Sequence, residues 1–278
     1  MDNELRIKPY EELTIQDNFL FQKVMRNKRI CKQTIERMLD IDIKDITYPV
    51  AEKTMKARVD TKGIRLDVYV NDEKGTVFNL EMQTTKDMEE LAKRVRFYQA
   101  SIDIDMLQSG MYYSELKDSY IIFICTFSVF DGEKHKYTFR EYCEENFGIR
   151  LNDGTTKVFL STKGKENDVS KPLQAFLDYV AGNEPGDELM REIDSEVAVA
   201  KKREEWRREY MTMEMEMIRR ERAAKAEGMA EGMAEGMVKM ALESVRTLIT
   251  KKNMSAEEAI DFLGYDASLS AKLLPLLA

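Results

Sequence analysis

Two segments decide the fold of this chain: Gly63-Ile-Arg-Leu-Asp67-Val-Tyr-Val70 and Thr76-Val-Phe-Asn-Leu-Glu81-Met-Gln83. Apolar and polar residues alternate in both, which is typical of β-strands. The short loop between them, Glu73-Lys74-Gly75, ends in a glycine that can adopt the left-handed conformation such loops require. The sequence therefore predicts a β-hairpin.

The register of this hairpin follows from its loop. Pairing of Asp72 with Thr76 sets apolar residues against apolar residues on one face and places Asp67 opposite Glu81 on the other. A slip of one residue would oppose apolar and polar side chains throughout. Opposed Cβ atoms lie roughly 4.5–5.5 Å apart, where like charges destabilise a sheet. A bound cation would compensate this repulsion; acids that simply point into water are the alternative.

The acids form the pattern Asp67…Glu81-x-Gln83, which is close to the D…(D/E)-x-K pattern of a large nuclease superfamily. Two carboxylates and a backbone carbonyl are oxygen ligands of the kind that Mg²⁺ prefers. A helix rich in basic residues is predicted from Leu91 to Leu107, with Arg94 and Tyr98 one turn apart on one face. Arginine matches two phosphate oxygens with its planar fork, although an ordinary surface arginine fits the same position.

Further motifs extend this pattern along the chain. They are Thr14-x-x-Asp17, Asn79-Leu-Glu81-Met-Gln83, Arg94-x-x-x-Tyr98, the segment Gly110–Leu116 and the apolar strand Tyr120–Phe127. With these motifs the chain resembles the recombination-promoting nucleases, the PD-(D/E)XK family transposases, over roughly residues 10 to 160. The resemblance implies an α/β fold with a restriction-endonuclease-like mixed sheet flanked by helices, followed by a helical C-terminal extension.

The resemblance also implies roles for individual residues. Asp67 and Glu81 would hold Mg²⁺, or Mn²⁺ in its place, together with the carbonyl of Met82. Gln83 would orient the attacking water; the wider superfamily has Lys there, and Gln can neither carry a charge nor take a proton. Asp17 would be a third catalytic acid, but Thr14-x-x-Asp17 equally resembles a helix capping box.

DNA is the partner that the resemblance implies. The net charge of −8 is not typical of a nucleic-acid-binding protein. However, residues 1–165 are nearly neutral, and most of the excess negative charge lies in residues 166–278. The candidate DNA-binding residues are Arg65, Lys86, Arg94 and Tyr98. Two basic runs could also neutralise phosphates: Lys23, Arg26, Lys28, Arg29 and Lys32, and then Lys53, Lys56, Arg58, Lys62 and Arg65. A solvated helix face is the alternative for the first run.

Composition restricts the setting and the chemistry. Three cysteines show no metal-binding spacing and favour a reducing, cytoplasmic location. A single histidine argues against common zinc sites and against nucleophiles paired with histidine. No apolar stretch reaches the roughly 18–20 residues of a membrane span, so no membrane partner is expected.

The pattern divides the chain into three parts. Residues 1–165 form the predicted nuclease core, with Ser119–Phe130 as a central strand and Phe147–Leu151 with Lys157–Leu160 as a second hairpin. Residues 166–239 form a helical connector with a long charged helix and a repeated Ala-Glu-Gly-Met motif that begins at Ala226. Residues 240–278 form a small helical module.

The repeat places Gly228, Gly232 and Gly236 near one face of a helix. These glycines weaken a helix, so two interpretations stay open: a groove for close helix approach in a dimer, or a flexible linker. We expect a homo-oligomer, such as a dimer, through the C-terminal helices.

The paired acids and the family resemblance together predict a Mg²⁺-dependent DNA endonuclease. The alternative is a non-catalytic DNA-binding or protein-interaction module that keeps the fold.

Overall fold

A mixed sheet of six strands, in the order β1-β2-β3-β4-β8-β5, forms the centre of the fold. The computed structural model describes residues 8–48, 50–55, 63–130 and 132–277, with residues 51 and 52 described by their backbone alone. The sheet strands are β1 (Val50–Met55), β2 (Ile64–Asn71), β3 (Val77–Gln83), β4 (Ser119–Cys125), β5 (Lys136–Phe139) and β8 (Thr155–Ser161). A separate hairpin comprises β6 (Tyr142–Cys143) and β7 (Asn146–Arg150). Strands β4 and β8 run parallel to β3, and the other pairings in the six-stranded sheet are antiparallel.

The predicted first hairpin is confirmed. The N–H of Asp72 donates to the carbonyl of Thr76 at 3.0 Å, and Gly75 has a φ of 84° in the turn. Beyond the turn, Val70 pairs with Phe78 and Val68 with Leu80, which is the register that the apolar pattern requires. The hairpin forms as predicted because each local preference agrees with burial of the same face.

The predicted central strand is confirmed as β4 over Ser119–Cys125, and the chain leaves the strand before Phe130. Strand β4 lies between β3 and β8, and nearly every one of its side chains is buried, as expected for a strand with neighbours on both edges. The predicted second hairpin is wrong. Asn152 and Gly154 have positive φ values of 53° and 82° and turn the chain, but β7 before them pairs with β6, while β8 after them joins the large sheet. Strand β8 is mostly buried and fits the sheet interior, whereas all of β7 is exposed.

In the residues that the structure describes, five complete α-helices and the start of a sixth, α6 (Glu204–Lys252), belong with the sheet to the first compact unit, which extends through Tyr210. The five are α1 (Asn18–Met25), α2 (Lys28–Leu39), α3 (Met88–Met106), α4 (Lys171–Val180) and α5 (Glu188–Lys201). Side-chain hydrogen bonds connect distant parts of this unit. The Arg37 guanidinium of α2 donates to Asp187, the N-cap residue of α5, at 2.6 Å. The hydroxyl of Tyr10, which precedes α1, donates to the carbonyl of Ala200 in α5 at 2.8 Å. The compact unit therefore continues past the boundary predicted at residue 165, because α4 and α5 pack on α1 and α2.

Helix α1 packs on the sheet near the strands that hold the two predicted acids. Every residue from Phe19 to Met25 is buried, so α1 lies inside the fold and packs against β1, β2, β3 and α5. Helix α3 begins at an N-cap, Asp87, whose carboxylate accepts the N–H of Glu90. It packs against β1 and β4, with Leu91, Val95, Tyr98 and Ile102 in the core. Polar residues on β2 and β3 are thus enclosed by helices.

The second compact unit begins at Met211 within helix α6 (Glu204–Lys252) and adds α7 (Ala256–Phe262) and α8 (Ala267–Leu277). Its core is built from Ala241, Val245, Ala259, Ile260 and Leu273. Ser255 and Glu258 form a capping box that starts α7, as their spacing predicts. In the described ranges no helix is long and apolar enough to cross a membrane.

Candidate active site

The hairpin strands exchange side-chain hydrogen bonds at the two predicted acids. The N–H of Asp67 donates to Oε1 of Glu81 at 3.1 Å, and the N–H of Met82 donates to Oδ2 of Asp67 at 3.2 Å. The recorded backbone pairing of β2 with β3 begins at Val68 and Leu80 and continues toward the turn. Each carboxylate therefore binds a main-chain amide of the opposite strand, which holds the two acids side by side.

The acids are enclosed rather than exposed. Asp67 retains 6% of its surface and Glu81 2%, so the alternative in which they point into water is excluded by the fold. The residues beside them on the same strands, Tyr69 and Asn79, are also buried, and the Asn79 side chain lies close enough to Glu81 to lower the pKa of that acid. The face that the alternation marks as polar is thus an interior polar cluster.

Helix α1 contributes Gln22, a residue that the sequence analysis missed. Its Nε2 donates to Oδ1 of Asp67 at 2.9 Å, and the side chain is 4% exposed. With this bond and the one from Met82, both oxygens of Asp67 have a fixed donor. The sequence marks Gln22 only weakly, because Gln22 and Lys23 are both polar residues within the otherwise apolar stretch Phe19–Met25.

Helix α3 places Arg94 and Tyr98 beside the acids. The Arg94 guanidinium lies 5.4 Å from the ring centre of Phe123 and 5.8 Å from that of Tyr98. Its Nε and Nη2 atoms are buried without an acceptor in the described part of the chain. These two atoms form the edge of the guanidinium that matches a pair of phosphate or carboxylate oxygens.

A family model described as PD-(D/E)XK nuclease family transposase matches residues 18–227. This chain belongs to the PD-(D/E)XK nuclease family transposases. The match extends from the first residue of α1 into α6 and contains both acids, Gln22, Arg94 and Tyr98. No curated protein and no solved structure matches the chain.

Membership in the PD-(D/E)XK family supports a nuclease-like function, and nucleases of this kind generally use divalent metals. The electrostatics of the acids fit a cation. Burial raises the pKa of Asp67 to about 6, against hydrogen bonds from Met82 and Gln22 that lower it. Burial also raises the pKa of Glu81 well above its usual value, and repulsion from Asp67 raises it further. A bound cation would offset both effects.

The donor set at this position is small. Within the described ranges no group of three or more His, Cys, Asp or Glu side chains could hold a metal ion. Asp67 and Glu81 supply two carboxylates, and the main chain of Met82 supplies a third oxygen. In a strand the N–H and C=O of one residue point to the same edge, so the Met82 carbonyl faces the gap that its N–H bridges to Asp67. Oxygen donors of this kind fit a hard cation that keeps water ligands, as Mg²⁺ does.

Asp17 does not lie with these acids in the contacts that the structure shows. Its carboxylate accepts the N–H of Thr14 at 2.6 Å and the ammonium group of Lys8 at 2.9 Å. These bonds belong to the turn that leads into α1, where Asp17 is the N-cap residue but its carboxylate accepts no N–H of the helix. The structure therefore does not form the full capping box that the spacing suggests, and Gln22, rather than Asp17, is the α1 residue that reaches Asp67.

The remaining predicted site residues are Gln83, Arg65 and Lys86. Gln83 ends β3 and is half-buried, and its carbonyl accepts the N–H of Thr126 at 3.0 Å. Arg65 is exposed on β2, two residues before Asp67, and its charge lowers the pKa of that acid. Lys86 is exposed in the loop before α3.

The first basic run contributes little free charge to a DNA surface. Four of its five members form ion pairs within the protein: Lys23 with Glu209, Lys28 with Asp45, Arg29 with Glu192 and Lys32 with Glu36. In the second run Lys53 pairs with Asp105, while Lys56, Arg58 and Lys62 lie outside the described residues. The cations whose charges lower the pKa of Asp67 are Arg65 on β2 and Arg94 on α3.

Proposed function

We propose that this PD-(D/E)XK family member is a Mg²⁺-dependent DNA endonuclease, with transposase-like, recombination-promoting activity. The observation that carries the proposal is the buried pair Asp67 and Glu81, each bonded to a main-chain amide of the opposite strand. Two enclosed carboxylates with raised pKa values are costly for a folded protein, and such groups concentrate at functional sites. The family match supplies the class of reaction.

Each residue has a distinct part in hydrolysis of a phosphodiester. Asp67, Glu81 and the carbonyl of Met82 would hold Mg²⁺, or Mn²⁺ in its place. The metal, when bound, acidifies a water and offsets charge on the phosphate. Gln83 would orient the attacking water through its amide. Because Gln accepts no proton at neutral pH, the proton of that water must leave to solvent or to the substrate.

Gln22 would position the carboxylate of Asp67, and Arg94 would bind the phosphate. Gln22 keeps Asp67 in position, and Arg94 holds the buried Nε and Nη2 edge that suits two phosphate oxygens. Arg65, Lys86 and Tyr98 complete the proposed DNA contacts. The arrangement accounts for phosphate binding without the basic run on α1 and α2.

We further propose that the protein acts as a homo-oligomer, such as a dimer, through its C-terminal helices, and in the cytoplasm. The long exposed helix α6 and the small core of the second unit support the first point. Three cysteines without disulfide partners support the second. The three-part division at residues 165 and 239 stays a prediction, with the first boundary moved by the packing of α4 and α5.

A plasmid assay tests the proposal. Purified protein is incubated with supercoiled plasmid in Mg²⁺ or in EDTA, alongside Asp67→Asn and the control Glu144→Gln, an exposed acid on the β6–β7 hairpin. We expect nicking or linearisation only with metal, loss of cleavage by at least 100-fold in Asp67→Asn, and no change in the control.

One observation favours a second candidate, a DNA-binding module without catalysis: Gln83 replaces the charged Lys of the wider superfamily. Binding of plasmid on a gel, without cleavage by any protein in Mg²⁺ or Mn²⁺, would support that candidate over the nuclease. Circular dichroism of every variant excludes misfolding as the cause.

A further inference from the structure

A cleft of about 620 Å³ opens beside the acids, between the start of β2 and the exposed side of α3. We call it the α3 cleft. Its lining is rich in cations: Arg65, Lys93, Arg94 and Arg96, against the single acid Glu90 among the described residues. Arg94 and Tyr98 line the cleft and also lie beside Asp67 and Glu81. The α3 cleft therefore shares two side chains with the surroundings of the acids, although the acids themselves do not line it.

The cations of the α3 cleft differ in how far the protein already uses them. Lys93 pairs with Glu89 at 2.6 Å, so its charge is already partly offset within the protein, as for the paired cations of α2. The side chain of Arg96 makes no hydrogen bond or ion pair in the described part of the chain, and the buried Nε and Nη2 atoms of Arg94 have no acceptor there. The charge of the cleft thus complements an anion such as phosphate.

An aromatic side chain lies among these cations. Phe97 lines the α3 cleft and is 42% exposed, although it is a large apolar residue on a helix whose buried side is already filled by other residues. Aromatic side chains beside cationic groups are the arrangement that binds single-stranded nucleic acid, because every base has a face that stacks. A paired base inside a duplex offers no such face.

The size of the cleft points the same way. Its volume falls within the range of roughly 300–1,000 Å³ that is usual for small-molecule pockets. One nucleotide fits a cleft of that class, whereas an intact duplex cannot enter it. We propose that the α3 cleft binds an unpaired nucleotide of the DNA substrate next to the scissile phosphate, with its base against Phe97 and its phosphates on Arg94 and Arg96.

This inference rests on the proposed nuclease function and names its substrate class: DNA that is single-stranded or locally unpaired at the cut. In a fully paired DNA duplex, one base would have to leave the stack before it could bind in the cleft, and this unstacking costs a few kcal/mol of free energy. Supercoiled plasmid, in which strands separate more easily, would be cut faster than the same plasmid in relaxed form.

Binding in EDTA tests the inference without catalysis. A fluorescein-labelled oligothymidylate and a blunt hairpin duplex of the same length are titrated with protein, and affinity is read by fluorescence anisotropy. The variants are Phe97→Ala and, as a matched control, Phe139→Ala. Phe139 is 43% exposed on β5 and does not line the α3 cleft.

We expect the wild type to bind oligothymidylate more tightly than the duplex. Phe97→Ala should weaken that binding roughly tenfold, as expected for loss of one stacked base, and Phe139→Ala should leave it unchanged. Phe97→Trp keeps a stacking face and should restore affinity, while Phe97→Leu, which preserves helix packing without that face, should not. Arg96→Gln should lower the salt dependence by about one phosphate contact.

Two outcomes would overturn the inference: equal binding by the Phe97→Ala and Phe139→Ala variants, or preference for duplex. If plasmid cleavage in Mg²⁺ then persists in Phe97→Ala, the nuclease function stands and only the nucleotide cleft is lost. If the wild type binds oligothymidylate through Phe97 but never cuts DNA, the cleft stands and the nuclease proposal fails.

Discussion

Asp67 loses most of its contact with water in the folded chain, and this burial raises the pKa of its carboxyl group to about 6. The folded protein therefore binds a proton more readily than the unfolded chain, in which the pKa of Asp is near 3.9. The contribution of Asp67 to stability is thus most favourable below pH 4 and is lost as the pH rises through about 6.

This sign leads to a prediction for Asp67→Asn in EDTA. At pH 7.5 the variant should gain on the order of 1–2 kcal/mol in free energy of unfolding, because it removes a buried negative charge. Gln22 can turn its amide to accept from the new Asn, so the hydrogen bonding is kept. Urea unfolding at pH 7.5 and pH 4 measures the change; the gain should shrink at pH 4. A variant that is less stable at pH 7.5 would contradict the proposed electrostatic cost.

The hydrogen bond from Gln22 to Asp67 predicts an effect of Gln22 substitutions on cleavage. Gln22→Leu removes the donor to Oδ1 of Asp67 and should reduce plasmid cleavage roughly 10- to 100-fold, as loss of a residue that orients a metal ligand does. Gln22→Glu adds a carboxylate and should tighten Mn²⁺ binding measured by calorimetry. The control is Gln33→Leu on α2, and unchanged cleavage in Gln22→Leu would remove Gln22 from the site.

The residues of the site were predictable to different degrees. The opposition of Asp67 and Glu81 follows from alternation and a short loop, which are local properties. Gln22 was missed because a single glutamine in a helix announces no partner until α1 is packed on β2. The enclosure of the acids was missed for the same reason, since it depends on helices far away in sequence.

Among the elements, α6 decides between the two interpretations of the Ala-Glu-Gly-Met repeat. The structure forms a continuous helix from Glu204 to Lys252, and a Cβ added at Gly228, Gly232 or Gly236 would meet nothing within 4 Å. Among the residues that the structure describes, the glycines therefore serve no close contact. A flexible linker does not match this helix, while a groove for a second copy stays a prediction.

Alanine at these three positions tests that groove. Each Gly→Ala change should stabilise an exposed helix by up to about 1 kcal/mol, because alanine restricts the unfolded chain and favours the helix. Thermal melts followed by circular dichroism at the helix band report the gain. Light scattering gives the second result: a dimer that dissociates on substitution needs the glycines for close approach, and an unchanged mass removes them from the interface.

At the scale of the whole molecule, a net charge of −8 repels DNA at long range, so binding depends on local cations. The sequence predicted a basic run on α1 and α2, but the structure uses most of it in ion pairs. In the nuclease core, the strands β2, β3 and β4 were predictable along the chain, because alternation of apolar and polar residues marks the first two and a continuous apolar run marks the third. The pairing of β8 was not, because a turn at Gly154 fits a hairpin as well as a change of sheet.

This charge distribution gives a prediction for DNA affinity. Lys28→Gln on α2 should leave the affinity for plasmid within twofold of the wild type, since Lys28 is paired with Asp45. Arg65→Gln on β2 should weaken it several-fold and flatten its salt dependence. Gel shifts in EDTA at increasing salt compare the two, and a larger loss in Lys28→Gln would restore the basic run as the DNA surface.

The exchange of amides across the gap between β2 and β3 has one more consequence. The N–H groups of Asp67 and Met82 are held by carboxylates, whereas ordinary strand amides are held by carbonyls. Their protection from deuterium exchange and their NMR shifts must follow the charge on those carboxylates. Two backbone protons thus act as a built-in spectroscopic reporter that senses a proton or a cation arriving at the centre of the site.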